Sequence, residues 1–131
     1  MCGIKTLKLA TVLFVALWPG SIKLAAASDD DQLQYFSTCA GRLSAVMEFQ
    51  WMFDGAGSEK TAQQRAALIE LVEAVMTEDQ GRAVLHWRIS AKQAQSALLT
   101  RATFNDNVAD ARWAIETADR LANESTSLLL S

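Results

Sequence analysis

The sequence predicts an all-α protein, an antiparallel up-down four-helix bundle that follows a cleaved signal peptide. Three observations carry that reading. Four stretches repeat apolar residues at spacings of three and four, the period of a helix with one buried face. Pro19 is the only proline, so no later helix is interrupted by one. Residues 1–27 have the three parts of an export signal.

In that segment Lys5 and Lys8 precede an apolar run from Leu9 to Trp18, Pro19-Gly20 breaks the run, and Ala25-Ala26-Ala27 follows. A basic start, a short apolar core and a small-x-small site are what signal peptidase requires. The run is about half the ~20 residues of a membrane-spanning helix. Lys23 closes it, which disfavours an uncleaved anchor. Cleavage between Ala27 and Ser28 would leave residues 28–131 as a single helical domain, periplasmic or secreted, with no stable membrane insertion.

The whole chain carries a net charge of −3. Lys5, Lys8 and Lys23 leave with the signal and no acidic residue does, so the mature domain is more negative still. Its basic residues are scattered singly. An acidic surface of this kind repels phosphate backbones and anionic headgroups, which excludes nucleic acid as a partner. Cys2 also leaves, so Cys39 is the one remaining thiol and no internal disulfide is possible.

The first helix is expected over about Asp31–Phe53, with Leu33, Phe36, Ala40, Leu43, Met47 and Gln50 in one stripe. Asp29, Asp30 and Asp31 suit the positive end of its dipole. Asp54-Gly55-Ala56-Gly57-Ser58 ends it. Ser58 is a candidate cap for the second helix, whose buried face would be Leu68, Ile69, Val72, Val75 and Met76. Gly81 marks a turn or kink. The third helix, about Gln80–Thr103, has a stripe of Val84, Trp87, Ala91, Ala94, Leu98 and Ala102. Phe104-Asn105-Asp106-Asn107 is a turn, and Asn107 with Asp110 resembles a capping box. The fourth helix carries Val108, Ala111, Ile115, Ala118, Ala122 and Leu129 on one face. Short loops between four such helices favour antiparallel neighbours.

Little of this composition supports catalysis. Cys39 falls in the apolar stripe of the first helix and reads as a buried, inert thiol, the alternative being a reactive one. His86, the only histidine, lies off its stripe and reads as a surface residue. One Cys and one His leave no material for a triad or a zinc site. No Gly-rich phosphate loop, nucleophile elbow or paired-carboxylate signature is present. Neither a catalytic residue, a cofactor nor a metal is therefore expected.

Two groups of residues stand out for binding. Gln50, Arg65, Arg88 and Gln95 project toward the core, either snorkelling from its edges or forming a buried polar layer that fixes register. Trp113 projects opposite its own stripe, among Glu116 and Arg120. Phe49 and Met52 also project away from theirs, as do Leu85 and Ile89. An outward Trp leaves apolar surface in water unless something covers it. Trp113, Met52, Phe49 and Arg120 are thus the candidate interface. The alternative is a small-ligand or haem carrier, with the ligand near Met47, Gln50 and Arg88. Met47 and His86 could in principle supply axial ligands, but no Cys-x-x-Cys-His attachment motif occurs.

The segments Cys39-Ala40-Gly41-Arg42-Leu43-Ser44-Ala45 and His86-Trp87-Arg88-Ile89-Ser90-Ala91-Lys92 resemble those of small exported helical proteins from alphaproteobacteria. The resemblance implies export and an all-α fold and transfers no activity. The functional expectation is an exported, non-enzymatic domain that acts on an unknown protein partner or by self-association. N-terminal sequencing of the exported protein should read Ser28 first; a retained Met1 in a membrane fraction would contradict the assignment of residues 1–27.

Overall fold

Three helices start where a side chain answers a free amide, at Ser28, Asp54 and Asn107. In the computed structural model, which describes residues 28–130, Ser28 Oγ accepts from Asp31 N at 3.2 Å and Asp31 Oδ2 accepts from Ser28 N at 3.4 Å. This reciprocal cap starts α1 (Asp29–Gln50) two residues earlier than the spacing alone suggests. Residues 1–27, where the sequence reading places an export signal and the cleavage residue Ala27, lie outside the described residues.

The second cap falls elsewhere than expected. Asp54 Oδ1, not Ser58, accepts from Gly57 N at 2.9 Å, so α2 runs Gly55–Val75 and takes Ser58 inside it, buried. α1 stops at Gln50, short of Phe53. Met52 N and Phe53 N bond carbonyls only three residues back, at 3.2 and 3.0 Å. That tight turn leaves Trp51, Met52 and Phe53 exposed.

A 3-10 turn at Glu78–Gln80 leads into α3 (Gly81–Phe104). Gln80 works in two directions. Its Oε1 accepts from Thr77 N at 2.9 Å, and its Nε2 donates to Asp30 Oδ1 at 2.6 Å. The connection is thereby pinned to the start of α1. At α4 (Val108–Ser127) Asn107 Oδ1 accepts from Asp110 N at 3.1 Å. The other half of the expected box is missing, because the Asp110 carboxylate turns to Arg101 and Asn105 instead. After α4 the tail docks: Leu128 and Leu129 pack onto Cys39, Ala40, Leu43 and Leu68.

The described residues are thus helical throughout, joined by short turns. α1 packs on the other three helices and α3 packs on α4. α2 rests on α1 without comparable contact to α3 or α4. The α1–α2 partners run in opposite order: Gln50 meets Thr61, Ser44 meets Arg65, and Leu33 shares a cluster with Val72. The α1–α3 partners run in the same order: Leu33 with Val84, Gly41 with Arg88, Glu48 with Lys92.

Small residues set the spacing of these contacts. A Cβ at Gly41 would lie 3.0 Å from Arg88 Cα and closer still to the Arg88 carbonyl oxygen. Only glycine lets α3 come this near. The line of α3 that faces inward is therefore Val84, Gln95 and Leu99, one position round from the expected Ala94 and Leu98; Ala94 is exposed. On α4 the fully buried positions are Ala114, Ala118 and Ser125. The larger Val108 and Ile115, expected on that face, are exposed instead, because a close helix contact has no room for branched side chains.

Gly41→Ala should consequently force α1 and α3 apart. Overpacking of this kind costs about 1–3 kcal/mol, read as a lowered midpoint of chemical denaturation. An unchanged midpoint would contradict the close contact.

Candidate functional site

Because α2 packs mainly on α1, an open cleft lies along each side of it. The first lies between α2 and α4, with Leu43 and Val46 of α1 as its floor. Gln50, Lys60, Thr61, Gln64, Asp119 and Asn123 line it, and its volume is about 480 Å³. The second lies between α2 and α3, over Gly41, Ser44 and Met47. It is lined by Arg65, Arg88, Lys92, Glu48, Leu85 and Ile89 and holds about 190 Å³. A third depression, where Phe49 and Met52 meet Leu99 and Thr100, marks the end of α1.

The four inward polar residues do not form one layer. Gln50 Oε1 accepts from Thr61 Oγ1 at 2.7 Å in the first cleft. Arg65 Nε donates to Ser44 Oγ at 2.6 Å, and that hydroxyl donates to Ala40 O at 2.8 Å. Arg65 and Arg88 face each other across the second cleft. Gln95 lies apart from all three, in the α3–α4 contact, where its Nε2 donates to Ala118 O at 2.9 Å. Its buried Oε1 has no hydrogen-bond partner in the protein. The split has a geometric cause: α1 and α3 in close contact leave no central space for a shared layer.

Cys39 is fully buried. Burial pushes its thiol pKa up, opposed in part by hydrogen bonding with Ser125 and by the Arg42 charge. The site is closed to reagents and unsuited to a thiolate. His86 is exposed on α3 and is not among the residues lining the second cleft, whereas Met47 is. Among the described residues no group of three or more His, Cys, Asp or Glu is placed to hold a metal ion, and no helix is long and apolar enough to cross a membrane.

Of the candidate interface, Trp113 is 52% exposed. One ring face is covered by Arg101, whose guanidinium carbon is 5.3 Å from the ring centroid. Arg101 also makes two 2.6 Å bonds to Asp110. This hydrogen-bonded pairing holds the Asp110 carboxyl below its usual range and Arg101 above its own. Met52 is exposed, and Phe49 is half-buried with its ring 5.0 Å from that of Phe53. Arg120 belongs to another region. It pairs with Glu124 at 3.2 Å, and Glu124 reaches Arg42 near the middle of α1.

The sequence reading missed several residues at the end that carries Met52. Trp51, Met52, Phe53, Phe104 and Val108 are each between 64 and 76% exposed. The signal was present: Trp51-Met52-Phe53 abuts Asp54-Gly55, and Phe104 abuts Asn105, so each lies at or beside a turn. Phe49 and Met52 share a depression with Leu99 and Thr100, so the ends of α1 and α3 lie together.

No protein-family model, no curated protein and no solved structure matches this chain.

The state of Cys39 gives a pH test. A thiol whose pKa is raised by folding contributes fully below its ordinary value of 9.0 and loses that contribution as pH rises through the raised value. Stability should therefore fall in alkali more steeply in the native protein than in Cys39→Ser, which itself costs about 1–3 kcal/mol near neutrality. Parallel pH profiles from denaturation would contradict a protected thiol.

Proposed function

We propose that this chain is an exported, non-enzymatic helical domain that holds a partner protein, or a second copy of itself, by its apolar end. The proposal includes an up-down antiparallel order of the helices after a cleaved signal peptide, periplasmic or secreted placement, and kinship with the exported helical proteins of alphaproteobacteria. The reversed order of the α1–α2 partners supports the topology, as do Gln95 with Ala118 and Arg101 with Asp110 between α3 and α4.

The observation that carries the binding role is the exposure of Trp51, Met52, Phe53, Phe104 and Val108 at one end, with Trp113 beside them on α4. Single exposed apolar residues are ordinary, but several at one end are the signature of an interaction surface. Aromatic residues and Met are enriched in the centres of such surfaces. The Arg101–Trp113 contact deepens the point. It orders the indole without burying it, so less side-chain entropy is lost on association. A haem ligated by Met47 and His86 gains nothing from this arrangement, since the two do not share a cavity.

Trp113→Ala should leave helicity and thermal stability nearly unchanged, because Trp113 is 52% exposed and its covered face meets the surface residue Arg101 and not the core. It should weaken partner capture or self-association by about thirtyfold or more, the effect of a central Trp worth ≥2 kcal/mol. Sedimentation and crosslinking of the full chain read both. A monomer destabilised by about 3–5 kcal/mol would make Trp113 a core residue and contradict the role.

A further inference from the structure

We propose that the α2–α3 cleft is a binding site for a small organic anion: a carboxylate or phosphate headgroup carrying a short apolar arm. The site is separate from the apolar end and from the partner role argued there.

The charge in the cleft is opposite to that of the molecule. Arg65, Arg88 and Lys92 line it together with one carboxylate, Glu48. Glu48 is already engaged, with Lys92 Nζ 2.6 Å from its Oε1. Among the described residues neither arginine has an acidic partner within ion-pair distance. Two half-buried guanidiniums without counter-ions, facing one space, are unusual in a domain whose acidic residues outnumber its basic ones. Each offers a planar fork that fits carboxylate or phosphate oxygens in pairs.

The arginines are also held in place. Arg65 is oriented by its Nε–Ser44 bond, which leaves its terminal amino groups free to donate to a ligand. Arg88 leaves α3 at the residue whose backbone lies against Gly41, so its Cα is fixed by the tightest part of the α1–α3 contact. A fixed fork loses less freedom on binding than a free surface arginine.

Size and lining narrow the ligand. A cleft of about 190 Å³ compares with the ~150 Å³ cavity that holds a benzene ring, so it takes a headgroup and a few carbons. Met47, Leu85 and Ile89 border the cations, with Leu85 55% and Ile89 46% exposed. An apolar arm laid on these side chains would remove their surface from water. The net negative charge of the whole domain repels a polyanion, which leaves small anions as the class that can approach.

Octanoate and octyl phosphate below their micelle concentrations, octanol below its solubility limit, and inorganic phosphate are titrated into the full chain by calorimetry. At least one of the two amphiphilic anions should saturate, and the tighter identifies the headgroup. Octanol and inorganic phosphate should bind at least tenfold more weakly. Arg88→Gln should weaken the preferred anion at least tenfold, while Arg112→Gln, exposed on α4 and outside the cleft, should not. Leu85→Glu, at an exposed position that folding tolerates, should weaken it similarly by placing a charge at the mouth. Inorganic phosphate or octanol binding as tightly, no saturation by either anion, or full affinity in both cleft variants would overturn the proposal.

Discussion

The arrangement of the four helices depends on backbone meeting backbone at Gly41 and Arg88. A missing Cβ on α1 admits the carbonyl of Arg88, and α1 and α3 run side by side in the same order. With that diagonal closed, α2 and α4 cannot meet across it. α4 packs on both α1 and α3, whereas α2 packs mainly on α1. The two clefts beside α2 are what remains when one diagonal of a four-helix arrangement shortens.

The same constraint explains a core made of small residues. Cys39, Ala40, Ala45, Ala114 and Ala118 are buried alongside a few leucines and valines, so stabilisation per helix contact comes from close approach more than from large side chains. Much of the α1–α2 contact is polar: Ser58 and Thr61 are buried, and Arg65 and Gln50 bond across it. A helix with one main neighbour and a partly polar contact can detach without separating the other three. α2 is accordingly an element that can open on its own, and both clefts would open with it.

The number, order and approximate ends of the helices were legible in the sequence, because the three-four spacing and the Asn107 and Gly81 signals are local. The inward faces of α3 and α4 were legible only to within one position. Gln95 and Ala118 read as inward and are buried, whereas Ala94 and Ile115 read as inward and are exposed; nothing local separates the two pairs. Ser58 and Thr61 were invisible as buried residues because hydroxyls read as caps or surface. The outward course of Trp113 followed from its angle alone, but the Arg101 that covers it arrives from another helix. Likewise Arg65 and Arg88 each read as inward and polar; that they line one cleft, with Gln95 excluded, follows from tertiary packing.

The central claim is the close, same-direction pairing of α1 with α3, and nuclear Overhauser contacts in the full chain test it directly. The account predicts strong contacts between the Gly41 Hα protons and the Arg88 backbone, with none linking the middle of α2 to α4. Contacts joining α2 to α4 across the centre, with Gly41 remote from Arg88, would contradict it.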